Sequence, residues 1–324
     1  MTQRKTGSHD DGLTTIWDER YCTDAASTNS TTKQAEVVRA AMGEGLLRLQ
    51  PWPWNEARAW ESIGQVHEAS YVEAVRFGQP RHLAESQGFR WSPGFAKAVA
   101  RIWAGHAFAC RLALREGLVF HPVSGAHHAD AARGGGFCTF NFLVGAGRQL
   151  LETGAVRRVA IVDLDAHQGD GTWRLVRDDR RFGVFDAAGS DWIGEQGRGV
   201  DERACFHVVP DADAYAKAMA TLPAFLDAFR PDLVQFQAGM DCHEDDPVGG
   251  IRGVDAGFLA QRDRLVIDEV LARGIPLVIN LAGGYQSDGT SVALHVQTAR
   301  IARARVRAAR RSKTGRRSHT LSDR

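Results

Sequence analysis

Three apolar runs of strand length, "VAIVDLDAH" (159–167), "LVQFQAGMD" (233–241) and "PLVINLAGGY" (276–285), each open as buried strands and close in polar or glycine-rich sequence. Segments with helical periodicity precede the second and third, "DAYAKAMATLPAFLDAFR" and "AGFLAQRDRLVIDEVLARG". That rhythm predicts α/β units around a parallel sheet. In such sheets the ligand site lies outside the carboxyl ends of the strands. The acids and the tyrosine at these three strand ends are therefore placed for chemistry.

Upstream, "LTTIW" reads as a short strand and "TTKQAEVVRAAMGEGL" as a helix that stops near Gly43 or Gly45. The strongest helical signal is "SPGFAKAVARIWAGHAFACRLALREG", with a Ser-Pro start, apolar residues at three- and four-residue intervals and Gly117 at the stop. A further helix is expected from Phe142 to Glu152. Neither an internal repeat nor a long linker interrupts the chain, so it reads as one domain over 14–300, with a polar N-terminal extension (1–13) and a basic C-terminal tail (301–324). Nine Lys and Arg and no acid lie between Arg300 and Arg317, in a chain that otherwise carries more acids than bases and totals +1. The stretch after His295 could begin as a helix and fray into "RRSKTGRRSHTLSDR"; a solvated tail is the plainer reading, and binding to nucleic acid or another polyanion is the alternative.

The five cysteines are widely spaced and form no CxxC pair, which argues against a disulfide framework and for a reducing compartment. The first residues lack the apolar core of a signal peptide, and no run approaches the roughly 18 apolar residues of a membrane span. A cytoplasmic protein without a membrane partner is expected. Neither a Walker A motif nor a G-x-G-x-x-G fingerprint after a strand is present, so nucleotide-phosphate and dinucleotide sites lack support.

In "DLDAHQGDGT", Asp163, Asp165 and His167 alternate. If the strand stays extended this far, a period of two puts all three on one side, and the turn beyond brings Asp170 near. Two carboxylates and an imidazole so close together are costly under an apolar sheet unless a cation or hydrogen-bond partners compensate them. Asp165 and His167 can supply an oxygen and a nitrogen ligand, and Asp241, at the mouth of another strand, a second oxygen. Three protein ligands with an open position is the arrangement of catalytic zinc, although this set also suits ferrous iron or manganese. The alternative is a carboxylate-rich loop hydrogen-bonded to backbone amides.

His127 and His128 stand side by side in "HPVSGAHHADAARGGGFCTFNF". Both reach one pocket only through a turn, which Gly125 and Gly134–Gly136 permit. Each imidazole needs a fixed tautomer, which a neighbouring carboxylate can enforce. Asp163 and Asp170 are left for this once Asp165 is given to the metal. Catalysis, metal ligation and structural hydrogen bonding all remain open for the pair. Tyr285 follows two glycines in "LAGGYQSDG", where a phenol could reach a polarised carbonyl, although a lone loop tyrosine is more often structural.

These segments, "SGAHHAD", "GGGFCTFNF", "VDLDAHQGDGT", "QAGMDCHEDDPVGG" and "LAGGYQSDG", occur in the order in which they occur in the histone deacetylase superfamily, with its acetylpolyamine amidohydrolases and acetoin-utilisation proteins, which the chain resembles over roughly 14–300. "DLDAHQGDG" and "RGGGFC" look most like its short class IV branch and bacterial relatives. The resemblance implies one arginase/deacetylase-like α/β domain with a central, mainly parallel eight-stranded sheet. It implies zinc held by Asp165, His167 and Asp241, His127 paired with Asp163, His128 paired with Asp170, and Tyr285 facing the substrate carbonyl. Gly136, Phe137 and Cys138 match the segment lining a narrow acyl-lysine channel and its foot. A structural potassium ion is expected close to the zinc, with contributions from Asp163, Asp165 and His167.

The implied reaction is hydrolysis of an N-acyl amide, most simply acetyl-lysine or an acetylated polyamine, with His128 as general base and then acid, His127 assisting, and Tyr285 stabilising the oxyanion. Two departures stand out. Ala126 replaces the usual glycine before the histidine pair, and "FDAAGSDWIGEQGRG" (185–199) lacks the Phe-Pro that supplies an aromatic channel wall, so that either Trp192 substitutes for it or the wall is absent and the pocket broader. Two rival readings are a catalytically inactive deacetylase fold that binds or senses a ligand, and an arginase-like enzyme with two manganese ions.

Overall fold

A computed structural model describes residues 11–22, 29–194 and 202–319. Most of the expected N-terminal extension, residues 23–28, residues 195–199 of the departing loop and the last five tail residues lie outside that description. Eight strands form one sheet: β1 (Leu13–Thr15), β2 (Leu47–Leu49), β3 (Leu118–Phe120), β4 (Val159–Asp163), β5 (Phe182–Ala188), β6 (Ala204–Val208), β7 (Leu233–Gln237) and β8 (Leu277–Asn280). Their order is β2-β1-β3-β8-β7-β4-β5-β6, and every pairing is parallel. The sheet is thus wholly rather than mainly parallel.

The helices are α1 (Asn29–Gly43), α2 (Glu56–Ile63), α3 (Ala69–Phe77), α4 (Arg81–Ala84), α5 (Pro93–Glu116), α6 (Phe142–Glu152), α7 (Asp170–Val176), α8 (Ala212–Met219), α9 (Leu222–Phe229), α10 (Ala256–Ala272) and α11 (Thr290–His319). Helix α5 starts as its sequence dictates: the Ser92 side chain accepts from the Phe95 N–H, Pro93 takes the first turn, and Gly117 ends the helix at φ 85°. Strand residues alternate between two cores. Ala160, Val162, Phe236 and Ile279 pack with Phe225, Val266 and Ala299 on one side, and Val159, Ile161 and Val278 pack with Trp103, Ala107 and Leu143 on the other. Burial on both faces explains why these strands read as continuous apolar runs.

The segment expected to be one helix before β7 is two, α8 and α9, because Pro223 in the first turn of α9 restarts the chain after Thr221. The basic C-terminal stretch begins as a helix, as its sequence allowed, but its first part is docked on the body rather than solvated. Helix α11 runs through position 301 without a break, with Ile301 and Ala302 in the core. Arg300 pairs with Glu44, Arg305 with Asp268 and Arg307 with Asp11, so part of the positive run is matched by acids of the body. At the other end, β1 begins at Leu13, one residue inside the expected extension.

The neighbouring strands β8, β7 and β4 stand at the centre of the sheet. Their carboxyl ends lead into the segments that carry Tyr285, Asp241 and Asp165, while the histidine pair follows β3. The sheet topology therefore gathers residues from four distant parts of the chain at one rim.

Candidate metal centre and active site

Strand β4 ends at Asp163, so Asp165 and His167 are not presented by alternation along an extended strand. The chain curls instead: the Asp163 carboxylate accepts from the Asp165 N–H (3.3 Å), and the Asp165 carboxylate accepts from the His167 N–H (3.0 Å). Two successive side-chain-to-backbone turns of this kind bring the functional groups together as alternation was expected to do. Asp241 lies four residues beyond the end of β7. Its Oδ1 accepts from the Ala166 N–H (3.0 Å), and the Asp165 Oδ2 accepts from the Gly283 N–H (2.7 Å), so β4, β7 and β8 are laced together by the carboxylates themselves.

Asp165, His167 and Asp241 each offer an atom within 4.8 Å of the others. The His167 Nδ1 stands 3.1 Å from an oxygen of each carboxylate. Burial and the nearby Asp165 charge raise the Asp241 carboxyl to about 7. Burial works against a charged His167, but its hydrogen bonds to Asp165 and Asp241 prevail and lift it to about 10. Two buried carboxylates that need a proton on a shared imidazole form a site that a cation would satisfy better. The donor set of two oxygens and one nitrogen fits a divalent metal of the zinc type. Gly283 is required beside it, because a Cβ there would stand 2.1 Å from the Asp241 Oδ2.

The histidine pair flanks this cluster, with ring centroids 4.0 Å apart. The His127 Nδ1 meets the Asp163 Oδ2 at 3.0 Å, and the His128 Nδ1 meets the Asp170 Oδ1 at 2.7 Å. Both expected pairings are therefore present in the geometry, and each leaves Nε2 as the ring nitrogen not bound to its carboxylate. Burial opposes charge on His127, yet the carboxylates of Asp163 and Asp165 overcome it and hold the imidazole well above its ordinary value. His128 is shifted the other way, first by burial and then by its charged neighbour His127. Tyr285 sits at the inner edge, where burial and then the charges of Asp165 and Asp241 push its phenol far up, so it stays protonated.

Gly136 must be glycine, since a Cβ there would lie 2.3 Å from the His128 ring; Phe137 next to it has φ 63° and faces Tyr285 at 5.9 Å between centroids. The buried Cys138 thiol, pushed up to about 11 by burial, donates to the Gly136 carbonyl. Trp192 is 48% exposed and lies over the site, 4.8 Å from the His128 ring in a stacked arrangement and 5.3 Å from the His167 ring. Asp165, Tyr285, Phe137 and Cys138 line one cavity together with the apolar side chains of Phe95, Ile102, Trp103 and Phe140.

Ala126 adopts φ 110°, a backbone conformation that glycine takes freely and alanine does not. The turn before the histidines is thus kept in spite of the substitution, under local strain. Ala126→Gly should stabilise the fold by up to about 1 kcal/mol, the relieved strain exceeding the extra entropy of an unfolded glycine; an unchanged or lower denaturant midpoint would show that position 126 carries no such strain.

Three site residues were not foreseen. Lys33 on α1 is buried, and its Nζ donates to the carbonyls of Ala282 (2.7 Å) and Gly284 (3.0 Å), bracing the loop that carries Tyr285. Burial pulls its ammonium down to about 8 against the opposing charges of Asp241, Asp165 and Asp246. Asp246, itself buried, accepts from the Tyr285 N–H at 2.7 Å. Asp186 on β5 stands in register with Asp163; its Oδ2 accepts from the Gly169 N–H, while its buried Oδ1 has no hydrogen-bond partner among the described residues.

A model of the histone deacetylase domain matches residues 28–301. An uncharacterised protein of Picosynechococcus is 35% identical over 230 residues, covering 70% of this chain and 76% of that one. A probable deacetylase of Methanothermobacter thermautotrophicus is 30% identical over 247 residues, covering 70% and 72%. Acetylpolyamine amidohydrolase 1 of Pseudomonas aeruginosa is 30% identical over 181 residues, and the chain spans about half the length of that relative. The crystal structure of the HDA15 HD domain superposes with a TM-score of 0.71 at 18% identity, covering 91% of this chain and 89% of the other, which shows the shared fold. Sequence match, sheet topology and the clustering of the motif residues at one rim agree: the chain belongs to the histone deacetylase domain family.

Proposed function

We propose that the chain hydrolyses an N-acyl amide, most simply acetyl-lysine or a related acetylated amine. The observation that carries this reading is the convergence of Asp165, His167 and Asp241 beside two histidine–aspartate pairs and a buried tyrosine. Those three residues would hold zinc, with ferrous iron as the alternative, and the bound ion supplies Lewis acidity toward the amide carbonyl and the attacking water.

The chain's own groups then divide the proton work. His128, shifted toward its neutral form and held by Asp170 at Nδ1, accepts a proton at Nε2 and returns it to the departing amine. His127, held cationic by Asp163, orients and stabilises developing negative charge. The Tyr285 phenol donates to the oxyanion. Trp192 and Phe137 would wall the acyl-lysine channel, with Gly136 and Cys138 at its lining, and the acyl group would point toward the part of the cavity lined by Phe95, Ile102, Trp103 and Phe140.

Among the described residues, Asp165, His167 and Asp241 form the one Asp/His cluster in ligand geometry, which does not favour a two-manganese enzyme. A panel of acetylated polyamines and of acyl-lysines of increasing chain length, assayed with the metal-loaded protein, tests the function. Turnover of at least one class is expected. A fully metallated protein inert toward all of them would instead support the inactive, ligand-binding reading.

A potassium ion near Asp163, Asp165 and His167 also fits, because Asp186, opposite Asp163, leaves a buried carboxylate oxygen without a hydrogen-bond partner among the described residues. The melting temperature should rise in potassium chloride relative to tetramethylammonium chloride at equal ionic strength. Asp186→Asn should remove that dependence and melt higher than wild type in tetramethylammonium. Equal melting of the wild type in both salts would exclude the ion.

A further inference from the structure

Arg262 on α10 is fully buried, and it lies outside every motif considered above. Its Nη1 donates to two carbonyls at once, Leu164 at 3.0 Å and Gly239 at 2.7 Å. Leu164 immediately precedes Asp165, and Gly239 stands two residues before Asp241. The same guanidinium is oriented by its other edge, where Nε and Nη2 donate to the Asp263 Oδ1 at 2.9 and 2.8 Å. Asp263 is fixed in turn by the Thr298 hydroxyl of α11.

Burying an ion pair stabilises a fold poorly compared with apolar residues of the same volume. A planar fork whose donors point in fixed directions does something an apolar side chain cannot: it sets the separation of the backbone groups it bridges. The two backbone segments bridged here come from different strands and carry the two carboxylates of the metal cluster.

We propose that Arg262 is a positioning residue that fixes the spacing of Asp165 and Asp241 and so tunes the affinity and geometry of the metal site. The inference rests on the metal reading given under Proposed function and extends it to a residue that touches neither metal nor substrate. Leu164 also receives the Tyr215 hydroxyl and the Cys242 thiol, so its loop retains partners when Arg262 is removed. Gly239 has the Arg262 contact as its anchor on this side, and the β7 end is where displacement is expected.

The test compares Arg262→Met, Arg262→Lys and Val270→Ala, the last a core truncation two turns further along α10 that loosens the fold and leaves the Arg262 fork in place. Zinc affinity is measured by competition with a chromophoric chelator, and the visible spectrum of the cobalt-substituted protein reports ligand geometry. Arg262→Met should weaken zinc binding by roughly 10- to 100-fold, the range usual for residues that orient metal ligands, and shift the cobalt bands. Arg262→Lys, which keeps the charge but not the fork, should fall between and carries the test if the Met variant does not fold. Val270→Ala should lower the melting temperature and leave affinity and spectrum unchanged.

Wild-type affinity and spectrum in the Arg262 variants would overturn the proposal, as would an equal loss in Val270→Ala, which would make the effect one of stability alone. A wild-type chain that binds no zinc at all would overturn the functional reading itself, and this inference with it.

Discussion

Asp241→Asn is expected to bind no stoichiometric zinc and to lose more than about 10³-fold in turnover, because the Lewis acidity of a bound ion is worth several kcal/mol and each decade of rate corresponds to about 1.4 kcal/mol. The same substitution should have the opposite effect on the metal-free fold. In that state burial and Asp165 raise the Asp241 carboxyl to about 7, above its value in the unfolded chain. A raised carboxyl costs stability as it ionises, so the penalty grows as pH rises from the unfolded value toward 7 and is complete above it. The amide has no charge to lose. Metal-free Asp241→Asn should therefore melt higher than metal-free wild type at pH 8, with the difference shrinking by pH 5. Calorimetry of the stripped proteins, alongside metal content, checks both signs; retention of zinc by the variant would remove Asp241 from the ligand set.

Tyr285→Phe separates oxyanion stabilisation from metal binding. Losing one donor aimed at a developing oxyanion costs about 3 kcal/mol, or on the order of 10² to 10³ in rate. The loop has anchors besides the phenol: the Tyr285 backbone N–H donates to Asp246, and the Ala282 and Gly284 carbonyls accept from Lys33. The variant should thus fold, keep its zinc and show its loss chiefly in kcat. Turnover equal to wild type would place Tyr285 outside the chemistry, and zinc loss would give it a structural role instead.

The parts of the site that the sequence made legible share a property: each functional residue lies within a short segment whose composition is unusual in itself. The histidine pair, the alternating acids of 163–167 and the GGY turn carry their signal in fewer than ten residues. What could not be read depends on contacts between segments far apart in the chain. Lys33 looks like any lysine of an amphipathic helix, and only the packing of α1 against the 282–284 loop makes it a buried brace. Asp186 becomes significant through register with Asp163 across a strand pair, and Arg262 through two carbonyls from different strands.

Elsewhere a local rule predicted the outcome by a route the chain does not take. Asp163, Asp165 and His167 do converge, but by hydrogen-bonded turns after the strand has ended rather than by strand alternation. The basic C-terminal stretch shows the opposite case, since a run of like charge gives no hint that Glu44, Asp268 and Asp11 lie opposite it. Charge patterning along a chain describes a solvated segment well and a docked helix poorly.

The measurement closest to the central claim is a zinc titration of chelator-stripped protein, following acetate release from an acetyl-lysine peptide and from an acetylated polyamine at each step. Hydrolysis of at least one substrate should climb from near zero and level off at one zinc per chain. Full activity in the stripped protein, or zinc uptake that leaves both amides intact and is unchanged in Asp241→Asn, would contradict it.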